Sequence, residues 1–209
     1  MTETIAVIQA GGLGTRMKEM THDTIPKPML KMNGKPMLLW QIEHLRCYNI
    51  KKIIIIIGHL GHIIKDYFKE GDDFGVDIDY IYENRPLGSA GSLFYLKDHP
   101  ASRYLLIYGD VMFDMDIDRW LDFHKKKNSL ITTVCHPNGH PYDSDLLVLN
   151  KEKQVCKILS KKDERVDCYK NLVNAGLYIF EKSVLEQINF PEKMDWEKEI
   201  QLLRRLNIC

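Results

Sequence analysis

The chain has no long apolar run and no excess of charge of either sign. Its longest strongly apolar run, residues 53–57, is five residues long, whereas a helix needs about 20 residues to cross a bilayer. The 29 Lys and Arg residues balance 29 Asp and Glu residues, so no global field attracts nucleic acid or an anionic membrane. The amino-terminal residues also lack the positive region of a secretory signal. We therefore expect neither a nucleic-acid partner nor a membrane partner.

The five cysteines are odd in number and form no Cys-x-x-Cys pair. This usage is typical of a reduced, cytoplasmic protein, and it disfavours a structural zinc site. The 209 residues contain 44% hydrophobic and 28% charged side chains, which is typical of a globular protein with a sizeable core. We expect residues 1–209 to form a single domain.

Apolar runs that predict strands alternate with segments of helical spacing through the first two thirds of the chain. The predicted strands are 5–10, 53–57, 76–82, 104–108 and 130–135, and the predicted helices are 37–48, 63–68, 89–96 and 118–127. This alternation predicts an α/β fold, a Rossmann-like and mainly parallel sheet with helices on both faces.

The pattern changes after residue 135. A loop rich in Pro, Asn and Gly at 136–143 precedes two short predicted strands, 145–149 and 155–159. A charged stretch, a strand at 173–180 and helical segments at 182–188 and 196–206 follow. The sequence therefore predicts a late β insertion in an otherwise mainly parallel sheet.

A glycine cluster follows the first predicted strand. Gly11, Gly12 and Gly14 lack a Cβ, so their backbone N–H groups can approach a phosphate closely. A dinucleotide fingerprint starting at Gly12 would need glycine where Met17 stands, and no Gly-Lys-Ser/Thr sequence ends the loop as in a Walker A motif. Spacing thus excludes both named phosphate loops, and a tight turn without a ligand remains an alternative.

Two cations accompany this loop. Arg16 lies at its end, and Lys27 lies between Pro26 and Pro28. Because proline is excluded from helix interiors, we expect Lys27 on a rigid, extended segment. Backbone amides, a guanidinium and an ammonium together suit a polyphosphate.

Five motifs in this order resemble those of the sugar-phosphate nucleotidylyltransferases. They are Gly-Gly-Leu-Gly-Thr-Arg at 11–16, Pro-Lys-Pro at 26–28, Pro-Leu-Gly-Ser-Ala-Gly at 86–91, Gly-Asp at 109–110 and Asn-Ala-Gly-Leu-Tyr at 174–178. The resemblance implies a GT-A-like fold and an enzyme that transfers a nucleoside monophosphate from a nucleoside triphosphate to a sugar 1-phosphate. Pyrophosphate leaves, and the product is a nucleotide sugar.

The resemblance also implies a role for each matching residue. Arg16 would hold the β- and γ-phosphates, Lys27 would lie beside the α-phosphate, and Asp110 would hold Mg²⁺. Asn174 and Gly176 would contact the sugar, and Lys161 or Lys162 would receive its phosphate, although Ser-Lys-Lys-Asp at 160–163 departs from the family's usual Glu-Lys-Pro. The implied nucleotide-binding residues are Gly11, Gly12, Gly14, Thr15, Glu83, Gly88 and Ser89. For the 86–91 segment, close packing at a helix start is an alternative to nucleotide binding.

The loop at 136–145 bears on the substrate. Its sequence, His-Pro-Asn-Gly-His-Pro-Tyr-Asp-Ser-Asp, resembles a loop of D-glycero-D-manno-heptose 1-phosphate guanylyltransferases. The resemblance favours GTP and a heptose 1-phosphate, used for surface polysaccharide biosynthesis, with mannose 1-phosphate and glucose 1-phosphate as alternatives. The two histidines and two aspartates are more typical of a polar loop than of a metal site.

One family feature has no match in this sequence. The usual second metal-binding aspartate, in an Asp-x-Gly-Thr-Pro segment, is absent. We therefore expect either a chain that lacks the usual carboxyl-terminal end or an incomplete metal site. The second alternative favours a nucleotide- or sugar-binding regulatory module over an active enzyme. The family resemblance also allows a homodimer.

Overall fold

A mixed β-sheet organises the computed structural model, which describes residues 3–12, 24–139, 142, 144–160, 163–164 and 170–196. Eight strands of this part of the chain form the sheet, and a short two-stranded hairpin lies apart from it. The sheet strands are β1 (Thr4–Gln9), β4 (Lys52–Ile57), β5 (Asp77–Tyr82), β6 (Arg103–Tyr108), β7 (Ile131–His136), β8 (Leu146–Leu149), β9 (Val155–Leu159) and β10 (Val173–Glu181), and the hairpin strands are β2 (Lys31–Met32) and β3 (Lys35–Pro36).

The strand order shows which part of the sheet is parallel. Along the order β5-β4-β1-β6, neighbouring strands are parallel. Strand β10 is antiparallel to β6, and β7, β8 and β9 extend the sheet through further antiparallel pairs. The predicted α/β fold with a parallel core and a late β insertion is therefore confirmed.

Within the described part of the chain, three α-helices pack against one face of the sheet. They are α1 (Met37–Cys47), α2 (Gly61–Phe68) and α3 (Ile117–Lys127). Helix α3 begins where the Asp116 carboxylate accepts the N–H of Arg119, and it ends at Asn128 in the left-handed conformation, as expected for N-caps and C-caps. The apolar sides of the three helices pack with Ala6 and Ile8 of β1 in one core layer.

On the opposite face of the sheet, the structure has short 3-10 helices where the sequence predicts longer helices. The predicted helix 89–96 is a 3-10 helix, Gly91–Leu96, and the predicted helix 182–188 is a 3-10 helix, Lys182–Gln187. These segments pack with Ile5 and Val7 of β1 in a second core layer. Of the predicted helix 196–206, only Trp196 lies within the described residues. No helix of the described ranges is both long and apolar enough to cross a membrane.

A buried polar network joins α3 to the sheet at the edge where β6 begins. His124 is 1% exposed, and its Nδ1 and Nε2 lie 2.7 Å from Thr132 Oγ1 and 2.8 Å from Glu181 Oε1. Arg103 Nε donates to the same Glu181 oxygen at 2.6 Å. A neutral ring that donates from Nε2 to Glu181 and accepts at Nδ1 from the threonine hydroxyl satisfies every group.

This network predicts a loss of stability on acidification. Burial lowers the pKa of His124 below its ordinary value of 6.5, although the hydrogen bond to Glu181 opposes this shift. As the pH falls below 6.5, the unfolded chain therefore binds a proton that the folded chain resists, and the free energy of unfolding decreases. We expect the midpoint of urea unfolding to fall between pH 7 and pH 5, and to fall less in His124→Gln. An equal fall in both proteins would assign the effect to other groups.

Candidate functional site

The loops that follow the four parallel strands meet at one edge of the sheet. The N–H of Ala10 donates to Ile56 O and the N–H of Glu83 donates to Ile57 O, both at 2.8 Å. The N–H of Gly109 donates to Gln9 O, also at 2.8 Å. Ligands of open α/β sheets bind at this carboxyl edge, where strand order reverses on either side of β1.

Lys27 and Asp110 form an ion pair at this edge. Lys27 Nζ lies 2.6 Å from Asp110 Oδ2, and the two side chains are 29% and 41% exposed. The expectation of an extended segment at Lys27 was wrong, because Lys27–Met29 is a single 3-10 turn. Proline is tolerated in such a first turn, where its missing N–H would have no helical partner. The pair is therefore accessible and held by short, rigid elements.

Gln41 of α1 holds the turn that carries Asp110. Its side chain is 2% exposed, and Nε2 donates to Tyr108 O at 3.0 Å and to Val111 O at 2.6 Å. Sequence reasoning missed this residue. The signal was a glutamine among the apolar residues of an amphipathic helix, since a buried amide must find partners.

Glu83 lies against the first glycine of the glycine-rich loop. A Cβ on Gly11 would overlap Glu83 Oε2, so the carboxylate reaches its observed position because Gly11 has no side chain. Burial raises the pKa of the Glu83 carboxyl, although hydrogen bonds from Ser92 and from the Leu87 backbone oppose the shift. Among the described residues, no group donates to its buried Oε1. A buried polar atom without a partner is unusual, which marks Glu83 as a candidate for a functional contact.

Gly88 and Ser89 lie beside these residues but also serve packing. Gln9 Nε2 donates to Ser89 O at 2.9 Å and to Ser92 Oγ at 3.3 Å, which joins the 86–91 segment to β1. The Ser89 hydroxyl accepts a hydrogen bond from the backbone N–H of Trp196 at 2.7 Å. The packing alternative for this segment is therefore supported, and a nucleotide contact stays a prediction.

Asn174 and Gly176 lie at the start of β10, at the same edge. The strand bulges between Asn174 and Tyr178, and Asn174 Oδ1 accepts the Thr133 hydroxyl at 3.1 Å and the Gly176 N–H at 3.2 Å. Asn174 Nδ2 donates to the Tyr178 hydroxyl. A small cavity beside them is lined by Thr133, Asp145, Leu147, Val155, Ile158, Asn174 and Tyr178.

Several predicted site residues lie outside the described residues. They are Gly14, Thr15, Arg16, Lys161 and Lys162. Gly12 is described, is exposed and has open space on its Cα. Of the loop at 136–145, Asn138 Nδ2 donates to Ser144 Oγ at 2.8 Å.

The donor set around Asp110 bears on the expected Mg²⁺. Within the described ranges, no three His, Cys, Asp or Glu side chains form a cluster that could hold a metal ion. Mg²⁺ is commonly bound through one or two carboxylates, with phosphates and water completing its shell. A single accessible carboxylate at the edge where the glycine-rich loop begins fits that mode of binding, and it does not fit an all-protein metal cage.

Comparison with known proteins decides the family. Residues 5–203 match the family model described as nucleotidyl transferase, which is most of the chain and includes all five motifs. The chain belongs to the nucleotidyl transferase family. The family and the enzyme class predicted from the motifs are therefore confirmed, while the roles of individual residues stay predictions.

Relatives within and near this family differ in their named substrates. The D-glycero-alpha-D-manno-heptose 1-phosphate guanylyltransferase of Campylobacter jejuni is 31% identical over 94% of this chain and 84% of its own. A UTP--glucose-1-phosphate uridylyltransferase of Synechocystis is 29% identical over 91% of this chain, which spans about half of that relative, 52%. Among solved structures, HddC from Yersinia pseudotuberculosis complexed with GMP-PN has a TM-score of 0.80 at 25% identity, covering 97% of this chain and 87% of that one.

Proposed function

We propose that this nucleotidyl transferase converts GTP and D-glycero-D-manno-heptose 1-phosphate to a GDP-heptose and pyrophosphate. The observation that carries the proposal is the meeting of Lys27 and Asp110 at 2.6 Å, at the edge where the glycine-rich loop begins. The name of the Campylobacter jejuni relative supports both guanine and heptose, and the GMP-PN bound in the Yersinia pseudotuberculosis structure supports guanine. Surface polysaccharide biosynthesis in the cytoplasm is the corresponding setting.

The proposed chemistry needs no nucleophile from the protein. A phosphate oxygen of the sugar 1-phosphate attacks the α-phosphorus of GTP in line, a P–O bond forms, and the bond to pyrophosphate breaks. Because the attacking phosphate is already ionised near pH 7, catalysis depends on alignment and on neutralising charge. In this proposal Lys27 contacts the α-phosphate and Arg16 contacts the departing phosphates.

The ion pair between Lys27 and Asp110 would be exchanged when substrates bind. A pair this accessible contributes only about 0–1 kcal/mol to stability, so a triphosphate can draw Lys27 away easily. Asp110 would then be free to hold Mg²⁺, which would supply positive charge next to the triphosphate. Gln41 keeps the Asp110 turn in place during this exchange.

Glu83 is the proposed reader of the nucleobase. Guanine presents two adjacent donors, N1–H and the N2 amino group, and a carboxylate accepts two parallel hydrogen bonds well. The buried Oε1 without a described partner is suited to one of them. Uracil presents a single N–H between two carbonyl groups, so it matches a carboxylate less well.

Glu83→Gln should weaken guanine binding selectively. The glutamine amide offers one acceptor and one donor, so one hydrogen bond to guanine is lost, and we expect KM for GTP to rise about tenfold, or about 1.4 kcal/mol, with kcat little changed. Steady-state kinetics with GTP and UTP measure this. Glu70→Gln, an exposed substitution, is the control. Equal KM values for GTP in Glu83→Gln and the unsubstituted protein would remove Glu83 from the base site.

A pyrophosphate-release assay tests the proposed function. It combines ATP, GTP, CTP and UTP in turn with heptose, mannose and glucose 1-phosphates in the presence of Mg²⁺. We expect the highest kcat/KM with GTP and D-glycero-D-manno-heptose 1-phosphate. A preference for another pair would identify the mannose or glucose alternative. No pyrophosphate from any pair would contradict the enzyme and favour the regulatory module.

A further inference from the structure

We propose that residues 191–196 position the 86–91 segment, the proposed nucleotide contact. Trp196 is the positioning residue that anchors residues 191–196. This proposal rests on the proposed function for the nucleotide contact of residues 86–91 and for its kinetic readout. Residues 191–196 are called the clamp below. The clamp crosses the 86–91 segment on the face of the sheet that carries the 3-10 helices.

Backbone hydrogen bonds attach the clamp to the 86–91 segment. Met194 N–H donates to Leu87 O at 2.9 Å, and Met194 O accepts the N–H of Ala90 at 3.1 Å. Arg85 Nη2 adds a longer bond of 3.4 Å to Pro191 O. Paired backbone bonds of this kind fix the conformation of both segments, since each satisfies groups that would otherwise need water.

Two glycines of the motif allow the clamp to approach this closely. Gly88 has φ of +73°, and a Cβ there would overlap the Met194 carbonyl. A Cβ on Gly91 would overlap the Glu192 carbonyl. Positions 88 and 91 therefore require glycine because the clamp packs against them, and only glycine leaves room for a second backbone.

Trp196 connects the clamp to both predicted subsites. Its backbone N–H donates to the Ser89 hydroxyl. The buried residue's ring centroid lies 5.5 Å from that of Tyr178 and 5.2 Å from that of Phe180. Tyr178 in turn accepts a hydrogen bond from Asn174. One buried side chain thus packs against the sugar side while its backbone holds the nucleotide side.

Removal of the Trp196 ring tests whether this side chain anchors the clamp. In Trp196→Ala the backbone donor remains, but the clamp loses its attachment to the core, so the 86–91 segment becomes less fixed. We expect KM for GTP to rise at least about tenfold while kcat changes less than about threefold. Trp196→Phe keeps an aromatic contact and should restore most of the loss.

Hydrogen exchange and a matched variant separate positioning from loss of stability. Phe68→Ala removes a buried ring from α2 on the opposite face of the sheet, and it serves as the control, with all proteins measured well below their Tm. We expect exchange of the Ala90 N–H to accelerate at least about tenfold more in Trp196→Ala than in Phe68→Ala. Equal exchange at Ala90, or an unchanged KM for GTP, would overturn the proposal. If the unsubstituted protein released no pyrophosphate, the proposed function would fail, and exchange at Ala90 would still decide the role of the clamp.

Discussion

Replacing Lys27 with alanine is expected to lower kcat/KM at least about 100-fold, or about 3 kcal/mol. The ammonium group lies at the carboxyl edge of the sheet, on a 3-10 turn in which Pro26 and Pro28 flank the lysine. Initial rates of pyrophosphate release measure the effect. Most of the loss in kcat/KM should be a lower kcat, because a charge next to the transferred phosphoryl group acts mostly in the transition state.

Two further variants make the Lys27 test specific. Lys27→Arg keeps the positive charge but spreads it over a planar guanidinium group. We therefore expect this variant to keep only part of the activity. Lys31→Ala removes an exposed lysine from the following hairpin and should leave the rate unchanged. Near-normal turnover in Lys27→Ala would contradict the proposed role, and an equal loss in Lys31→Ala would indicate a general charge effect.

Asp110→Asn is expected to lower kcat at least about 100-fold and to raise the Mg²⁺ concentration needed for half-maximal rate. The substitution is nearly isosteric, so the hydrogen bonds from Gln41 to the flanking carbonyls should keep the turn in place. Loss of the negative charge removes both the proposed metal ligand and the ion pair with Lys27. Titration of the rate with Mg²⁺ measures both changes.

The control for Asp110 is a distant carboxylate. Asp122 lies on α3 with an exposed side chain, and Asp122→Asn should change neither the rate nor the Mg²⁺ dependence. If Asp110→Asn lowered the rate with an unchanged Mg²⁺ requirement, the residue would act through Lys27 and not through the metal.

The sequence predicted the parallel half of the fold because periodicity is strongest there. The β-branched run at 53–57 and the run at 104–108 both proved to be buried strands. The two 3-10 helices were harder, because a short segment's choice between α and 3-10 geometry depends on what packs against it. The order of β7 to β10 was likewise open, since long-range pairing has no local signal.

The candidate site also combines residues that have a local sequence signal with residues that have none. Motifs that contain glycine and proline pointed to Gly11, Lys27 and Asp110 as candidates, because glycine and proline are selected for backbone reasons that a sequence displays. Gln41 and the clamp were missed. Their contacts join residues distant in the chain through backbone carbonyls and amides, which every residue type carries, so no composition signals them.

The central position of β1 has a consequence during synthesis. One edge of β1 pairs with β4, but its other edge pairs with β6, which leaves the ribosome about 100 residues later, on the order of 5–20 s at ordinary elongation rates. Throughout that interval the nascent protein presents an unpaired, apolar strand edge, a template for misassembly. Expression yield should therefore depend on translation speed and chaperone supply more than the stability of the finished molecule would suggest.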